Sequence, residues 1–350
     1  MSCCINIDLG RLSNNLLLLK NGAKDKLVCA VVKADAYGHG AKKVSKTIEN
    51  KVDYFAVANA LEGVELRKVG INKPILVLSA DDNDSLICVK FDLTIGVGTL
   101  LQALKLKNLF IKENKSCPIH IQIDTGMHRL GFSNTCDVKR VIELFDKNIV
   151  TGVYSHIYSQ KSYSAQIERF KEFEQLVKSY NSHAISHLSS TFYASNSYGD
   201  MIRAGLCLYG YPREKFLPVM SFESVVLNVI DLDSFDNCGY EGLFINGKKP
   251  QKIAIIQGGY ADGISRDRRT RTGVLFKGEL LPIIAVCMDS VTVLASNVDI
   301  SRGDIVKFVG ESDSFEYYFD EIARQVGTIE YELMTSIGKR VRRNYIDIKN

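Results

Sequence analysis

The feature that most constrains the fold is a series of eight short apolar runs, rich in β-branched residues and separated by stretches with helical spacing. Near-continuous apolar strands that alternate with helices favour a parallel sheet covered on both faces. Eight such units are the number that closes a (β/α)8 barrel of the TIM type, although an open doubly wound sheet shows the same alternation. The runs are KLVCAVVK (26–33), YFAVA (54–58), PILVLS (74–79), DLTIGV (92–97), IHIQID (119–124), VTGVYSH (150–156), AISHLS (184–189) and MIRAGLCLY (201–209).

Two of the intervening stretches show the helical period most clearly. In SAQIERFKEFEQLVKSY (164–180), apolar side chains recur on one face of a helix. The stretch NALEGVELRKVG (59–70) is predicted to be a helix that stops at Gly70, because glycine is favoured just after a helix ends. These helices complete the α/β pattern.

The sequence changes character near residue 217, where strands and helices give way to longer runs with period-two hydrophobicity and glycine-containing turns. This pattern is typical of a mostly antiparallel β domain. We therefore predict a barrel domain over 10–217 and a β domain over 218–350, with a first strand over 1–9 that packs with the β domain. One late stretch, FEYYFDEIARQVG (315–327), is predicted to be helical.

The composition, with 46% hydrophobic and 24% charged residues, is that of soluble globular proteins. The net charge is only +4, and the densest basic cluster, SRDRRTRTG (265–273), is interpreted as a solvated loop, so we expect no nucleic-acid partner. No apolar run reaches the roughly 18 residues of a membrane span. Nine cysteines without a CxxC pair suit reduced thiols rather than a disulfide scaffold or a metal site. We expect a cytoplasmic protein.

Several polar side chains fall at the carboxyl ends of the predicted barrel strands, where barrel enzymes carry their active sites. Taken alone, Lys33 is better explained as the solvated end of a strand, since lysine is rarely buried without a partner. Taken together, these groups suit an anionic ligand with a reactive carbonyl. Pyridoxal phosphate is such a ligand, because its aldehyde reacts with lysine and its phosphate binds backbone N–H groups and hydroxyls. The groups are Lys33, Arg129, His156, Ser189 to Thr191, Arg203 and Gly205.

Seven motifs occur in the order and approximate spacing seen in alanine racemases, the barrel-type pyridoxal-phosphate enzymes. The chain resembles this family over essentially its whole length, and seven motifs in order are far more specific than any one of them. The resemblance implies an enzyme that interconverts L-alanine and D-alanine and supplies D-alanine for peptidoglycan. The motifs are AVVKADAYGHG, DTGMHRLGF, GVYSH, MIRAGLCLYG, GGYADG, VCMDS and GTIEYEL.

The resemblance also implies which residues hold pyridoxal 5'-phosphate. Lys33 corresponds to the lysine that binds the cofactor covalently, and Arg203 corresponds to the arginine that faces the pyridine nitrogen. Because a guanidinium is not deprotonated in proteins, Arg203 leaves the ring a weaker electron sink than an aspartate partner would, which restrains side reactions. The implied cofactor-binding residues are Lys33, Tyr37, Arg129, His156, Thr191, Arg203, Gly205, Leu206 and Tyr331.

Racemisation needs a base on each face of the substrate Cα, because removal and return of the proton on one face restores the starting isomer. The resemblance implies Lys33 for one face and Tyr240 for the other. His156 and, through it, Arg203 are implied to assist the phenol, whose ordinary pKa lies near 10. The implied substrate-binding residues are Arg129, Tyr260, Cys287, Met288 and Asp289.

A head-to-tail homodimer is a further implication of the resemblance. The β domain of one chain caps the barrel of the other and lends it Tyr240, Tyr260 and Met288. The chain departs from the family pattern at Gln122, where a carbamylated lysine commonly braces the arginine that corresponds to Arg129. A neutral glutamine still accepts a hydrogen bond but supplies no negative charge.

Three classes of function remain open on the sequence. An amino-acid racemase is favoured, with alanine as substrate and serine as an alternative, because an added hydroxyl is hard to reject sterically. A pyridoxal-phosphate-binding protein without turnover is opposed by the β domain and Tyr240. A decarboxylase on the same fold is expected to show different substrate-carboxylate and cofactor motifs.

Overall fold

The computed structural model describes residues 3–190, 197–233, 237–238, 240, 243–244, 251–313 and 315–347. The chain divides into two compact units. The barrel unit consists of Ser13–Ala36 and Gly40–Phe216, and the β unit consists of Met1–Leu12, Tyr37–His39 and Leu217–Asn350.

Eight parallel strands form the nearly closed sheet of the barrel unit, as the eight apolar runs predict. The first seven strands pair successively in chain order, and the eighth pairs with the first. The short strand Tyr198–Gly199 adds an antiparallel partner to the seventh. The (β/α)8 prediction is confirmed. The eight strands are Leu27–Val31, Tyr54–Val57, Ile75–Val77, Thr94–Val97, Ile119–Gln122, Val150–Ile157, Ile185–Ser190 and Met201–Ala204.

Helices alternate with the barrel strands, and four of them begin at a polar residue that caps the first turn. Asn59, Asp81, Thr99 and Asn134 each accept a backbone N–H from the following turn through a side-chain oxygen, which is the usual start signal of a helix. Gly70 lies just after the helix Ala60–Lys68 and has a left-handed φ of 79°, as the sequence predicts for the end of this helix. The helices, after Leu9–Ala23 at the start of the chain, are Ala41–Ile48, Ala60–Lys68, Asp82–Phe91, Leu100–Glu113, Thr135–Leu144 and Tyr163–Tyr180.

Two glycines on barrel strands provide space for buried polar rings. His120 lies between Gly96 and Gly152 in the register of the neighbouring strands. A Cβ atom on Gly152 would lie 2.7 Å from three atoms of the His120 ring, and one on Gly96 would lie 2.3 Å from the Tyr154 hydroxyl. The sequence therefore places glycine where the barrel accommodates an imidazole and a phenol, both of them buried.

The β unit contains a second nine-stranded sheet, which is antiparallel except where Cys4–Asp8 runs parallel to Arg342–Ile346. Strand Ile305–Ser312 pairs with both Gly273–Phe276 and Met220–Leu232, in addition to Phe315–Tyr317, so six strands form a closed ring of pairings. The remaining elements of the β unit are strands Gln251–Gln257, Glu279–Val286, Ser290–Leu294 and Phe315–Tyr317, the two-stranded pair Asn237–Cys238 and Leu243–Phe244, and helices Phe319–Val326 and Glu330–Thr335.

The prediction of a helix over 315–327 is wrong at its start. Residues Phe315–Tyr317 form a strand that pairs with the end of Ile305–Ser312, and the helix covers only Phe319–Val326. The pairing partners, residues 310–312, lie just before this strand in the chain, and helical periodicity does not register such a pairing, so pairing with the preceding strand decides the conformation.

The prediction that the basic cluster 265–273 is a solvated loop is wrong for one of its arginines. Arg268 is only 3% exposed and donates hydrogen bonds to Thr272 Oγ1 and to the Phe308 carbonyl oxygen. Its guanidinium carbon lies 5.6 Å from the centre of the Phe308 ring. Burial lowers the pKa of Arg268 to about 10, and carbonyl acceptors with an aromatic face compensate for the lost hydration.

All nine cysteines are free thiols, of which six are buried, whereas Cys136 is exposed. Over the described ranges, no helix has the length and apolar character needed to cross a bilayer.

Candidate active site

Lys33 lies just beyond the first barrel strand and opens a turn with an uncommon backbone conformation. The four non-glycine residues 34–37 have φ between 51° and 55°, in the left-handed region. This region costs about 1–2 kcal/mol for each residue that has a side chain, so the turn depends on hydrogen bonds that hold it. Asp35 accepts two of them, from Gly40 N at its carbonyl oxygen and from Ala41 N at its carboxylate.

The amine of Lys33 lies in a cationic part of the barrel unit. Burial lowers the pKa of Lys33 below its ordinary value, and the positive charges of Arg129 and Arg203 act in the same direction, while Glu62 opposes them. A lowered pKa increases the fraction of neutral amine near neutral pH, and the neutral amine is both the nucleophile and the base. Burial and the two neighbouring arginines therefore argue against a solvated strand end for Lys33.

Arg203 is buried inside the barrel and fixed by several contacts. One terminal nitrogen lies 2.5 Å from His187 Nδ1, and the other donates to the Ser155 carbonyl oxygen at 2.7 Å. The guanidinium carbon lies 5.3 Å from the centre of the Tyr154 ring, which stacks on the His187 ring at 5.2 Å between centroids. Arg203 thus keeps one orientation at the carboxyl end of its strand.

A chain of two buried histidines continues from Arg203. His187 Nε2 lies 2.8 Å from His120 Nδ1, and both rings are fully buried. Because a guanidinium only donates, His187 Nδ1 must accept, and its proton must be on Nε2. That proton is donated to His120 Nδ1, which places the proton of His120 on Nε2. The chain therefore consists of two neutral imidazoles and one positive arginine. Sequence reasoning missed His120 and His187, because their roles depend on strand register.

We expect these histidines to make the protein sensitive to acid. Burial, followed by the charge of Arg203, lowers the pKa of His120 from 6.5 to about 3, and the pKa of His187 is also well below its ordinary value. The unfolded chain then binds protons that the folded chain excludes, so the free energy of unfolding decreases as the pH falls from about 6.5 towards 3.

Urea unfolding at a series of pH values from neutral to about 4 measures this decrease. His120→Asn removes one of the buried imidazoles and should flatten the slope, whereas His183→Asn at an exposed position should leave it unchanged. Parallel slopes for wild type and His120→Asn would show that the buried imidazole is not the origin of the acid sensitivity.

His156 lies near the end of the sixth barrel strand, where the sequence placed it. Burial lowers the pKa of His156 to about 3, with further contributions from Arg203, Arg129 and Lys33, so the ring is neutral near pH 7. Gln166, on the following helix, donates from Nε2 to the His156 carbonyl oxygen at 2.9 Å. This buried glutamine holds the strand end that carries His156, and no local pattern identifies it in the sequence.

Gln122 uses its side-chain oxygen as an acceptor inside the barrel. The Tyr154 hydroxyl lies 3.0 Å from Gln122 Oε1 and 3.1 Å from the Leu78 carbonyl oxygen. Burial raises the pKa of Tyr154, so the phenol remains a neutral donor. A neutral amide acceptor therefore lies at the position where the resemblance implies a carbamylated lysine. Arg129, the arginine that such a lysine would brace, is exposed.

The β unit presents several of the other predicted site residues on its surface. Tyr240, Tyr260 and Met288 are 71%, 42% and 50% exposed, respectively. Tyr260 N donates to the Cys287 carbonyl oxygen at 3.0 Å, so the loops that carry Tyr260 and Met288 are joined by backbone bonds. A Cβ atom on Gly259 would lie 2.2 Å from the same carbonyl oxygen, which explains the glycine at this close approach.

An ion-pair cluster supports the same two loops. Arg340 donates to Asp262 Oδ1 at 2.7 Å and to Asp289 Oδ1 at 2.6 Å. Asp262 Oδ2 in turn accepts from Gly259 N at 2.9 Å. The predicted substrate residue Asp289 is thus part of the bracing of these loops.

The remaining predicted cofactor residues are distributed over both units. Tyr37 and Tyr331, both in the β unit, have ring centroids 5.5 Å apart at an angle of 54°. Gly205 directly precedes Leu206, the first residue of the short 3-10 helix Leu206–Tyr209 in the barrel unit. Thr191 lies outside the described residues.

The chemistry of the barrel residues suits pyridoxal 5'-phosphate. Lys33, Arg129 and Arg203 place three positive charges around His156 and all act to lower its pKa. Arg203 is buried, Lys33 is partly buried and Arg129 is exposed, and a cluster of cations of this kind favours an anionic ligand, since a phosphate or carboxylate relieves their mutual repulsion. An activated amine and a fixed arginine donor are the groups that an anionic aldehyde with a pyridine ring would use.

Comparison with known proteins gives the family. Residues 7–213 match the description "Alanine racemase, N-terminal domain" and residues 219–345 match "Alanine racemase, C-terminal domain". The chain is 33% identical to the alanine racemase of Thermodesulfovibrio yellowstonii over 340 residues, which is 94% of this chain and 92% of that protein.

Solved structures agree with this match. The alanine racemase of Clostridium difficile 630 is similar with a TM-score of 0.90 at 32% identity, over 99% of this chain and 96% of that one. The alanine racemase of Bartonella henselae with covalently bound pyridoxal phosphate gives 0.86 at 28% identity, over 99% and 100%. Because both family domains are matched in order and a relative is similar along nearly the full length, the chain belongs to the alanine racemase family.

Proposed function

We propose that the chain is a pyridoxal-phosphate-dependent alanine racemase, which interconverts L-alanine and D-alanine. The observation that carries the proposal is the amine of Lys33, which has a lowered pKa and lies at the end of a barrel strand under the influence of two arginines. The family match over both domains supports the same activity. D-Alanine is a building block of peptidoglycan, and a cytoplasmic enzyme that supplies it is consistent with nine free thiols.

In the proposed enzyme, Lys33 holds the cofactor covalently and Arg203 faces the pyridine nitrogen. When bound, pyridoxal phosphate draws electron density from the substrate and so makes the hydrogen on Cα more acidic. Arg203 stays a donor because the guanidinium keeps its protons and because the His187 chain and the Ser155 carbonyl oxygen fix its orientation. The residues proposed to bind the phosphate are Tyr37, Thr191, Gly205, Leu206 and Tyr331.

Lys33 is proposed to move the proton on one face of the substrate Cα. A general base works best when its pKa lies near the working pH, and burial and the two arginines move the pKa of Lys33 in that direction. The same positive charges that lower this pKa also favour the substrate carboxylate, which Arg129 is proposed to bind together with the Met288 backbone.

Tyr240 is proposed to move the proton on the opposite face. A phenol is almost entirely protonated near neutral pH because its ordinary pKa is near 10, so a neutral acceptor and positive charge close to it are needed to favour the phenolate that acts as the base. His156 supplies the first and Arg203 the second, since the pKa of His156 is lowered to about 3 and the ring is neutral. Tyr260, Cys287 and Asp289 are proposed to line the substrate region.

The proposed enzyme is a head-to-tail homodimer in which the β unit of each subunit serves the barrel of the other. Tyr240, Tyr260 and Met288 are more than 40% exposed, so a second molecule can reach all three side chains. Two such sites per dimer each combine one Lys33 with one Tyr240 from the other chain.

Mixing two inactive variants tests this arrangement. Lys33→Ala and Tyr240→Phe subunits are each expected to be inactive, but a heterodimer of the two contains one site with both bases. An equal mixture that has exchanged subunits should regain about a quarter of the wild-type activity per site, because about half of the dimers are mixed. Activity that stays at the background after exchange, verified by tagged subunits, would contradict shared sites.

The substrate is tested by incubating the purified protein and pyridoxal phosphate with each L-amino acid, followed by chiral chromatography. We expect D-alanine to form fastest and D-serine to form more slowly. Carbon dioxide release with loss of the amino acid would instead indicate a decarboxylase, and no product from any amino acid would indicate a binding protein.

A further inference from the structure

The turn behind Lys33 is fixed by a carboxylate from another segment of the barrel unit. Glu62, on the helix Ala60–Lys68, accepts a hydrogen bond from Ala34 N at 2.7 Å through Oε1. Its other oxygen, Oε2, accepts from Ala58 N at 2.7 Å. One side chain therefore connects the turn after the first barrel strand to the end of the second.

The position of Glu62 in its helix shows that local capping does not account for both bonds. Asn59 is the N-cap and accepts from Glu62 N, so Glu62 is the third helical residue, where a glutamate usually bonds back to the N-cap N–H. Here Oε2 reaches one residue further back, to Ala58 N, and Oε1 leaves the helix for Ala34 N. One of the two carboxylate oxygens of Glu62 thus accepts its hydrogen bond from the turn that follows Lys33.

The turn needs such an anchor. Residues 34–37 carry side chains yet lie in the left-handed region, which non-glycine residues avoid. Ala34 is the first of them and directly follows Lys33, so its peptide orientation determines the direction in which the lysine side chain leaves the backbone. A charged acceptor forms a stronger bond to a backbone N–H than a neutral one does.

We propose that Glu62 is a positioning residue for the reactive lysine: it holds the left-handed turn by its bond to Ala34 N and sets the position of the Lys33 amine. It contacts neither substrate nor cofactor in this proposal, which rests on the proposed function for its effect on turnover. The charge of Glu62 also counters those of Arg129 and Arg203 at Lys33 within the described residues, with His156 as the adjacent neutral ring.

Glu62→Gln tests the proposal against Glu65→Gln, a matched change on the same helix. Glu65 is partly exposed, and its carboxylate pairs with Lys42 and Lys68 and not with a backbone N–H of residues 34–37. In the full-length protein, hydrogen exchange of the Ala34 amide should become about tenfold faster in Glu62→Gln and stay unchanged in Glu65→Gln. The pH midpoint for acylation of Lys33 in the cofactor-free protein should also shift downward only in Glu62→Gln.

Turnover is the third readout. Glu62→Gln should lower kcat for alanine by about tenfold with a nearly unchanged KM, because geometry around Lys33 and not substrate binding is altered. Adding Ala34→Gly should restore much of the lost kcat, since glycine adopts a left-handed conformation without a side-chain penalty. If Glu62 only capped its own helix, Ala34→Gly would not restore the kcat that Glu62→Gln had lost.

The outcomes separate this proposal from the proposed function. If Glu62→Gln matches Glu65→Gln in Ala34 exchange and in the Lys33 midpoint, Glu62 does not position the lysine, whatever the activity. If Ala34 exchange and the Lys33 midpoint both change in Glu62→Gln, but neither the wild type nor the variants convert any amino acid, the positioning role stands and the racemase assignment fails. No rescue of kcat by Ala34→Gly in an active enzyme would also contradict the proposal.

Discussion

Replacing Lys33 by alanine is expected to abolish racemisation. The change removes the amine that holds the cofactor and one of the two proton-transfer groups, and a positioned base alone contributes roughly 10²–10⁴-fold. We expect kcat to fall by at least about 10³-fold and borohydride reduction to leave no pyridoxyl group on the active-site peptide. A small amine added to the solution should restore part of the activity, because it can replace the missing base.

Lys42→Ala is a suitable control for Lys33→Ala. Lys42 is more than half exposed and forms an ion pair with Glu65, so its removal should affect neither labelling nor activity. Borohydride labelling that persists in Lys33→Ala, on a different lysine, would reject the assignment of Lys33.

Tyr240→Phe is expected to retain the cofactor but lose racemisation by about 10²–10⁴-fold, the usual contribution of a positioned proton-transfer group. The loss must be equal in both directions, because the two enantiomers have the same free energy in solution. Exchange of the Cα hydrogen with solvent should behave differently. The enantiomer served by Lys33 should still exchange, whereas exchange from its mirror image should fall with racemisation.

Exchange in deuterium oxide, measured separately from L-alanine and D-alanine by mass spectrometry, gives this comparison. Each enantiomer serves as the internal control for the other, so a general defect in folding or cofactor binding is recognised. An equal loss of exchange from both enantiomers would argue that Tyr240 does not serve one face of the substrate.

Much of the barrel could be predicted from the sequence because each strand is a local apolar run and the number of units selects a closed sheet. The same logic placed Lys33, His156 and Arg203 at strand ends, where the structure has them. Their proposed roles rest on the family motifs, because no local pattern distinguishes a solvated lysine from one with a lowered pKa.

The parts that could not be predicted depend on contacts between segments distant in the chain. The glycines that make space for His120 and Tyr154 can be recognised only once the register of the neighbouring strands is known. The left-handed turn at 34–37 contains no glycine, so its sequence argues against its conformation, and a bond to Glu62 contributes to holding it. Arg268 is predicted to be on the surface because its neighbours are charged, whereas one of its acceptors, the Phe308 carbonyl oxygen, lies on a strand 40 residues further along the chain.

The most direct test of the central claim is to follow single turnovers of wild-type enzyme in deuterium oxide, starting from L-alanine and then from D-alanine. Proton removal by Lys33 or Tyr240 and return by the other predicts that the product carries deuterium at Cα from the first turnover, whichever enantiomer is the starting material. Product that retains the original hydrogen at Cα, or the absence of the opposite enantiomer, would contradict racemisation by two bases on opposite faces.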